Sequence, residues 1–233
     1  RLKKIAVVAG VCDGFIGNRM LARYGTAASG LLDLGAEPQQ VDRALEAFGF
    51  AMGIYRVADL AGLDIGWARR KRWAQEQPDK DFSVAADRLC EQGRFGQKTG
   101  AGWYRYEAGS RSALPDPQVS VLLESWRAER GFVTRKLSDS EVVERCIYAL
   151  VNEGAKILAD GIAQRASDID TVYLNGYGFP RFRGGPMQYA NEIGLPNVVR
   201  ALRRIALESP QEAQYWTPAP LLVQMAQEGR TFS

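Results

Sequence analysis

The distribution of apolar positions along the chain predicts helices. Met20, Leu21, Tyr24, Ala27, Ala28, Leu31 and Leu32 recur at helical spacing and build one apolar face. Gly35 is placed to end that helix, because glycine accepts the left-handed conformation of a C-terminal stop. Pro38 suits the first turn of a following helix, where a missing N–H costs nothing. That second helix carries Val41, Ala44, Leu45 and Phe48. Another helix is expected from Trp67 to Gln75, then a turn-rich stretch from Gly93 to Gly102. Leu114-Pro115-Asp116-Pro117 breaks regular structure, and a short helix from Val119 to Glu129 follows. Ser138-Asp139-Ser140-Glu141 reads as a capping box. It opens a helix whose face is Val143, Cys146, Ile147, Leu150, Val151 and Leu158, with Gly161 as its stop. Only the first segment reads otherwise: in Lys3-Lys4-Ile5-Ala6-Val7-Val8-Ala9-Gly10 the β-branched residues predict a buried strand.

The two halves look alike. Asn18-Arg19 and Glu144-Arg145 each sit in a helix, and these helices end near Gly35 and Gly161. Val41-Asp42 and Ile169-Asp170 then occupy the next helix of each half. Gly49-Phe50 matches Gly178-Phe179, Gly53 matches Gly185, and Gly62-Leu63 matches Gly194-Leu195. Ordered glycines of this kind point to a duplicated helical unit.

Composition removes several function classes. The 233 residues are 46% hydrophobic and 24% charged, which is ordinary for a globular chain. A formal charge of +3 gives no ground for a nucleic-acid partner. Arg69-Arg70-Lys71-Arg72 lies in a predicted helix that spreads its charges around the axis, so a solvated face is expected. No apolar run approaches the length of a membrane span, and cytoplasmic location is the default expectation. Cys12, Cys90 and Cys146 are odd in number and widely spaced, as suits reduced thiols. No metal site is expected, since histidine is absent and Asp42, Asp59 and Asp64 follow no ligand pattern.

Two stretches carry the candidate chemistry. Asn18 follows Gly14-Phe15-Ile16-Gly17, where a carboxamide can donate to a substrate carbonyl without changing protonation state. Its competing role is a helix N-cap. Lys98 lies in Gly96-Gln97-Lys98-Thr99-Gly100-Ala101-Gly102, where glycines allow close backbone approach to a ligand and lysine offers a point charge. Its competing role is a solvated surface turn. Lys-Thr-Gly without a Ser-x-x-Lys partner does not indicate a penicillin-binding enzyme. No complete Gly-x-Gly-x-x-Gly fingerprint is present, so the chain holds no dinucleotide site of its own.

The runs Asp-Gly-Phe-Ile-Gly-Asn-Arg-Met from Asp13 and Phe-Gly-Gln-Lys-Thr-Gly-Ala-Gly-Trp-Tyr-Arg-Tyr from Phe95 resemble the C-terminal region of 3-hydroxyacyl-CoA dehydrogenases of fatty-acid β-oxidation. The tandem arrangement is similar to that of multifunctional β-oxidation enzymes. The resemblance implies a mainly α fold with two tandem helical units, preceded by a leftover strand of an absent Rossmann domain. The expected divisions are 1–12 for that strand, 13–113 for the first unit, 114–137 for a linker with a short helix, and 138–233 for the second unit. It implies that Asn18 lies beside acyl-CoA as a catalytic and substrate-binding residue, and that Lys98 approaches NAD, which the absent N-terminal domain mostly binds. The loop Tyr173-Leu174-Asn175-Gly176-Tyr177-Gly178-Phe179-Pro180-Arg181 is similar to one that approaches acyl-CoA in the multifunctional branch, making Asn175 a further substrate-binding candidate. Some relatives carry tyrosine at the position of Asn175, and a structural turn is the competing reading.

The family's catalysis uses a histidine base oriented by a glutamate, and this chain has no histidine. The expectation is therefore a fragment of an NAD-dependent (S)-3-hydroxyacyl-CoA dehydrogenase that is inactive alone. Its partners would be the acyl-CoA substrate, the absent Rossmann domain, and an enoyl-CoA hydratase and a thiolase. The alternatives are a noncatalytic helical interaction module that kept the fold, and a tandem form of short-chain 3-hydroxybutyryl-CoA dehydrogenase.

Overall fold

A computed structural model describes residues 4–233. Twelve α-helices are present among them: α1 (Gly17–Asp33), α2 (Pro38–Phe48), α3 (Ile54–Ala61), α4 (Leu63–Glu76), α5 (Ala85–Glu91), α6 (Pro117–Arg130), α7 (Asp139–Ala159), α8 (Ala166–Gly176), α9 (Pro186–Ile193), α10 (Leu195–Glu208), α11 (Ala213–Trp216) and α12 (Pro220–Gln227). The apolar stripe of α1 is buried as its spacing predicts, with Met20, Tyr24, Ala27, Ala28, Leu31 and Leu32 all inside. Gly35, at φ +112°, ends the turn and donates to the Leu32 carbonyl at 3.0 Å. Ser138 Oγ accepts the Glu141 N–H at 3.2 Å, forming one arm of the expected capping box. The Glu141 carboxylate is drawn to Arg135.

The amino-terminal segment departs from expectation. Its first residues, up to Lys3, lie outside the described residues. From Lys4 onward there is no strand, only an isolated antiparallel bridge between Ala9 and Ala163. Ile5 and Val8 are exposed. β-branched residues favour a strand only where neighbours cover the pleated surface, and one bridge supplies no such surface.

The chain forms two compact units that do not coincide with its sequence halves. One comprises Arg1–Ala27, Phe48–Ala51 and Val143–Ser233. Its core combines Met20 and Tyr24 with Ile147, Leu150, Val198, Leu202 and Ile205. Phe48, Phe50 and Phe179 cluster here, with Phe179 edge-on at 5.9 Å from Phe48 and 5.5 Å from Phe50.

The other unit comprises Ala28–Ala47 and Met52–Val142. Buried Arg127 on α6 holds its start, donating to the carbonyls of Leu32 at 2.7 Å and Ala36 at 2.6 Å. These carbonyls belong to the end of α1 and its exit turn, where helix geometry leaves acceptors without intrahelical partners.

The duplication read from the ordered glycines is visible in backbone detail. Asp42 caps α3 by accepting the N–H groups of Tyr55 at 2.9 Å and Arg56 at 3.0 Å. Asp170 caps α9 in the same way, accepting from Met187 at 2.8 Å and Gln188 at 3.1 Å. A Cβ at Gly53 would lie 2.3 Å from Asp42, and one at Gly185 would lie 2.3 Å from Asp170. Gly62 and Gly194 precede α4 and α10 with nearly equal backbone angles, φ 103°, ψ 120° and φ 88°, ψ 121°.

Candidate functional site

Asn18 is exposed in the first turn of α1, not at its N-cap. The turn before it is tight: Gly14 has φ +80°, and Phe15 has φ +50°, the one non-glycine residue at positive φ among those described. The Gly14 carbonyl accepts the N–H groups of both Asn18 at 3.1 Å and Arg19 at 3.3 Å. Backbone geometry therefore caps this helix end and leaves the Asn18 carboxamide available.

That carboxamide is held from one side. Tyr177 donates its hydroxyl to Asn18 Oδ1 at 2.8 Å. The Tyr177 ring stacks on Tyr173, centroids 4.9 Å apart. On its other side the ring occupies the space a side chain at residue 17 would fill: a Cβ on Gly17 would lie 2.2 Å from it. The Tyr173 hydroxyl donates to the Gly17 carbonyl at 3.3 Å. Glycine at 17 is thus required by ring packing, and the loop after α8 meets the start of α1 at Asn18.

Arg19 anchors the same helix end. It donates to Glu153 at 2.7 Å and lies 2.8 Å from Asp160. Burial works against its charge, but Glu153 and Asp160 outweigh it and hold the guanidinium pKa above its ordinary value. Arg23 and Lys156 also face buried Glu153, at 3.5 and 3.7 Å. Burial is the main cause that lowers the Lys156 pKa; neighbouring Arg23 and Arg19 add to it, against the attraction of Glu153. In the second copy the position of Asn18 is taken by Glu144, which is paired with Arg204. The exposed carboxamide belongs to the first copy alone.

Asn175 is exposed, and its carboxamide is engaged at both ends. It donates to the Thr171 carbonyl at 2.8 Å and accepts from Arg181 at 3.1 Å. Phe182, beside Arg181, is 75% exposed, an unusual position for a large aromatic ring.

Lys98 lies in the other unit, in a short 3-10 turn, Gln97–Thr99. Its Nζ is 2.5 Å from Asp64 Oδ1, both side chains being about half exposed. Lys98 holds the Asp64 carboxyl below the usual carboxylate range. The glycines around Lys98 serve a purpose the spacing did not disclose. A Cβ at Gly96 would lie 2.2 Å from the Asp59 carbonyl, and one at Gly102 would lie 2.1 Å from Asp59 Oδ1. Their backbone approaches Asp59 of α3. Fully buried Asp59 accepts the N–H groups of Trp103 at 2.9 Å and Tyr104 at 3.0 Å, and the Tyr106 hydroxyl at 2.9 Å. One carboxylate thereby clamps the whole stretch that carries Lys98. The spacing of Asp59 and Asp42 excludes a metal-ligand pattern but does not disclose these roles, since Asp59 on α3 meets Gly96 and Gly102 only after α4 and α5 intervene.

The basic run of α4 is consumed locally. Arg70 pairs with Asp87 at 2.5 Å and Arg72 with Glu76 at 3.5 Å, while Lys71 lies over Trp67 and Arg69 over Trp73. No helix among the described residues is long and apolar enough to cross a membrane.

Comparison with known proteins matches this chain twice to one family model, described as the 3-hydroxyacyl-CoA dehydrogenase C-terminal domain, at residues 14–106 and 142–232. A peroxisomal bifunctional enzyme of Danio rerio is 48% identical over 98% of this chain and 34% of its own length. The human protein of the same name is 44% identical over 98% of this chain and 33% of its own. A glyoxysomal fatty acid beta-oxidation multifunctional protein of Cucumis sativus is 34% identical over 100% of this chain and 32% of its own. The chain spans about a third of the length of these relatives. Among solved structures, the dehydrogenase part of multifunctional enzyme 1 from C. elegans superposes with TM-score 0.73 at 27% identity, covering 95% of this chain and 50% of that one. The 3-hydroxybutyryl-CoA dehydrogenase of Escherichia coli shares the fold, with TM-score 0.72 at 20% identity, covering 95% of this chain and 61% of that one.

Proposed function

Since this chain belongs to the 3-hydroxyacyl-CoA dehydrogenase family, we propose that it is the helical C-terminal part of an NAD-dependent (S)-3-hydroxyacyl-CoA dehydrogenase. The observation that carries this reading is the exposed Asn18 carboxamide, held at one end and open at the other. As the hydroxyl proton is removed, negative charge builds on the oxygen, and it is relieved as hydride leaves C3 and the carbonyl forms. A neutral donor aimed at that oxygen stabilises the developing charge at any working pH. The proton must leave through a general base. In the family this base is a histidine, and with none among the 233 residues we place it outside this chain.

NAD, when bound, supplies the hydride acceptor. Of the residues here, Lys98 fits such a group. It is a half-exposed cation, paired with Asp64, on a turn whose backbone is clamped by Asp59. Asn175 and the adjoining Arg181 are proposed to contact the acyl-CoA. The names of the relatives favour a peroxisomal setting over the cytoplasmic default. Names that print bifunctional and multifunctional are consistent with a second activity in the same polypeptide, for which an enoyl-CoA hydratase is proposed, with a thiolase proposed as a downstream partner.

The test is acetoacetyl-CoA-dependent oxidation of NADH, measured for this chain and for its complete gene product. Activity in the complete product only is the expected outcome. Turnover by this chain alone would overturn the placement of the base. Inactivity of both, with folding verified, would favour a noncatalytic interaction module.

A further inference from the structure

We propose that Tyr177 is a positioning residue for the dehydrogenase reaction: its hydroxyl fixes the Asn18 carboxamide so that only the amide donors face the substrate. This proposal rests on the reading of Asn18 given above.

An asparagine side chain can rotate by half a turn, exchanging one acceptor for two donors at nearly the same place. On an exposed helix turn nothing intrinsic selects between the two states. At Asn18 the selection comes from a phenol. A tyrosine hydroxyl that donates to Oδ1 at 2.8 Å favours the state with Oδ1 turned inward. The Nδ2 group then points away, with no other hydrogen bond among the described residues. Its two N–H groups are left for an acceptor, as a carbonyl or nascent alkoxide oxygen is. The inverted rotamer would offer an N–H to the phenol oxygen, which can accept it, but it would leave the phenol hydrogen without this acceptor and turn Oδ1 towards the substrate.

The phenol is itself held firmly. Its ring is stacked on Tyr173, and it fills the space left by the missing side chain of Gly17. Burial raises its pKa, which keeps the hydroxyl protonated and therefore a donor. Tyr177 ends α8 as its C-cap, with its N–H bonded to the Tyr173 carbonyl at 3.3 Å. The second helical copy thus supplies the residue that orients the catalytic asparagine of the first. Such preorganisation is what gives a single donor its effect in the transition state, since no reorientation is then needed as charge develops.

The experiment is a double-mutant cycle in the complete gene product, with Tyr177→Phe, Asn18→Ala and the two combined. Phenylalanine keeps the ring packing, and an unchanged thermal midpoint checks the fold. Asn18→Ala is expected to lower kcat about 100-fold, the scale of losing one transition-state donor. Tyr177→Phe is expected to lower kcat about tenfold with KM nearly unchanged, the pattern for a contact made only in the transition state. The combined variant is expected to be no slower than Asn18→Ala alone, because Tyr177 acts through Asn18. In this 233-residue chain, the Asn18 side-chain amide signals in a nitrogen–proton NMR map should shift on Tyr177→Phe, with little change elsewhere. Full activity of Tyr177→Phe, or a loss that multiplies with that of Asn18→Ala, would overturn the positioning role and leave the reading of Asn18 standing. Full activity of Asn18→Ala would sink both.

Discussion

The two copies share one capping device and differ in what they attach to it. Asp42 and Asp170 each cap the following helix through two backbone N–H groups. Asp42 also accepts the Tyr104 hydroxyl at 2.7 Å. Four residues after the first capped N–H group the copies diverge again. There the first copy has Asp59, which accepts three donors from Trp103, Tyr104 and Tyr106. The second copy has Asn191, which both accepts from and donates to the backbone of Phe232, at 2.8 and 2.9 Å. A carboxylate only accepts, so it gathers several donors and can clamp a long turn. A carboxamide closes a reciprocal pair with a single residue. The first copy is built to hold the turn of Lys98, and the second to fasten the end of the chain. Duplicated frames with unequal attachments show that the two copies share the capping device but hold different neighbouring segments.

The sharpest way to break this symmetry is at the glycines beneath the capping aspartates. Gly53 has φ −68°, so alanine there meets only the steric overlap with Asp42. Gly185 has φ +108°, so alanine meets the overlap with Asp170 and a strained backbone as well. Gly53→Ala is expected to cost about 3 kcal/mol, as overpacking does. Gly185→Ala adds backbone strain of about 1–2 kcal/mol to a similar overlap. Urea unfolding of both variants measures the difference. Equal losses would mean that strain at residue 185 is relieved elsewhere.

A smaller effect follows from the capping carboxyls themselves. Burial pushes both Asp42 and Asp170 up to about 6, against the lowering effect of their backbone donors. Their folded values thus lie above the unfolded one, near 4. Between about pH 4 and pH 6 the folded chain holds more protons than the unfolded chain. The stabilising contribution of these groups is therefore complete below about pH 4 and is lost as pH rises through about 6. Asp170→Asn should flatten the fall of stability across that window by about 1 kcal/mol per pH unit at most. Denaturant midpoints at pH 4, 5, 6 and 7 provide the check. An unchanged slope would show that Asp170 stays ionised throughout.

Much of this frame was legible in the sequence because helices announce themselves locally. The stripe from Met20 to Leu32, the stop at Gly35 and Pro38 at the first turn of α2 each act within a few residues. The duplicated glycines could be matched for the same reason: a missing Cβ leaves a mark in the sequence. Their partners could not be read, since Asp59 lies more than 40 positions from the donors it gathers and Tyr177 lies 159 positions from Asn18. The segment from Ile5 to Gly10 shows the converse. Its local preference for a strand was plain, but a strand also needs neighbours that local preference cannot supply.

The smallest expected effect tests the outer face of the same comparison. Counting from the capped N–H groups, Leu60 corresponds to Glu192; counting from Gly62 and Gly194, Ile65 corresponds to Asn197. Leu60 is 57% exposed and Ile65 is 65% exposed, while Glu192 and Asn197 are exposed polar residues. At these two positions the second copy presents polar groups where the first presents apolar ones, although α10 also exposes Leu207. Leu60→Glu with Ile65→Asn gives the first copy the residues of the second. Side chains so exposed contribute little to the stability of this chain, and the double change should alter it by less than about 0.5 kcal/mol. In the proposed complete dehydrogenase the same pair should matter more, because apolar groups left open beside the α3–α4 junction and the Lys98 turn are available to whatever packs there. The measurement is unfolding of both proteins with and without the pair. Equal and negligible effects in the two would mean that this face stays in water, and that its difference from the second copy has no part in assembling the enzyme.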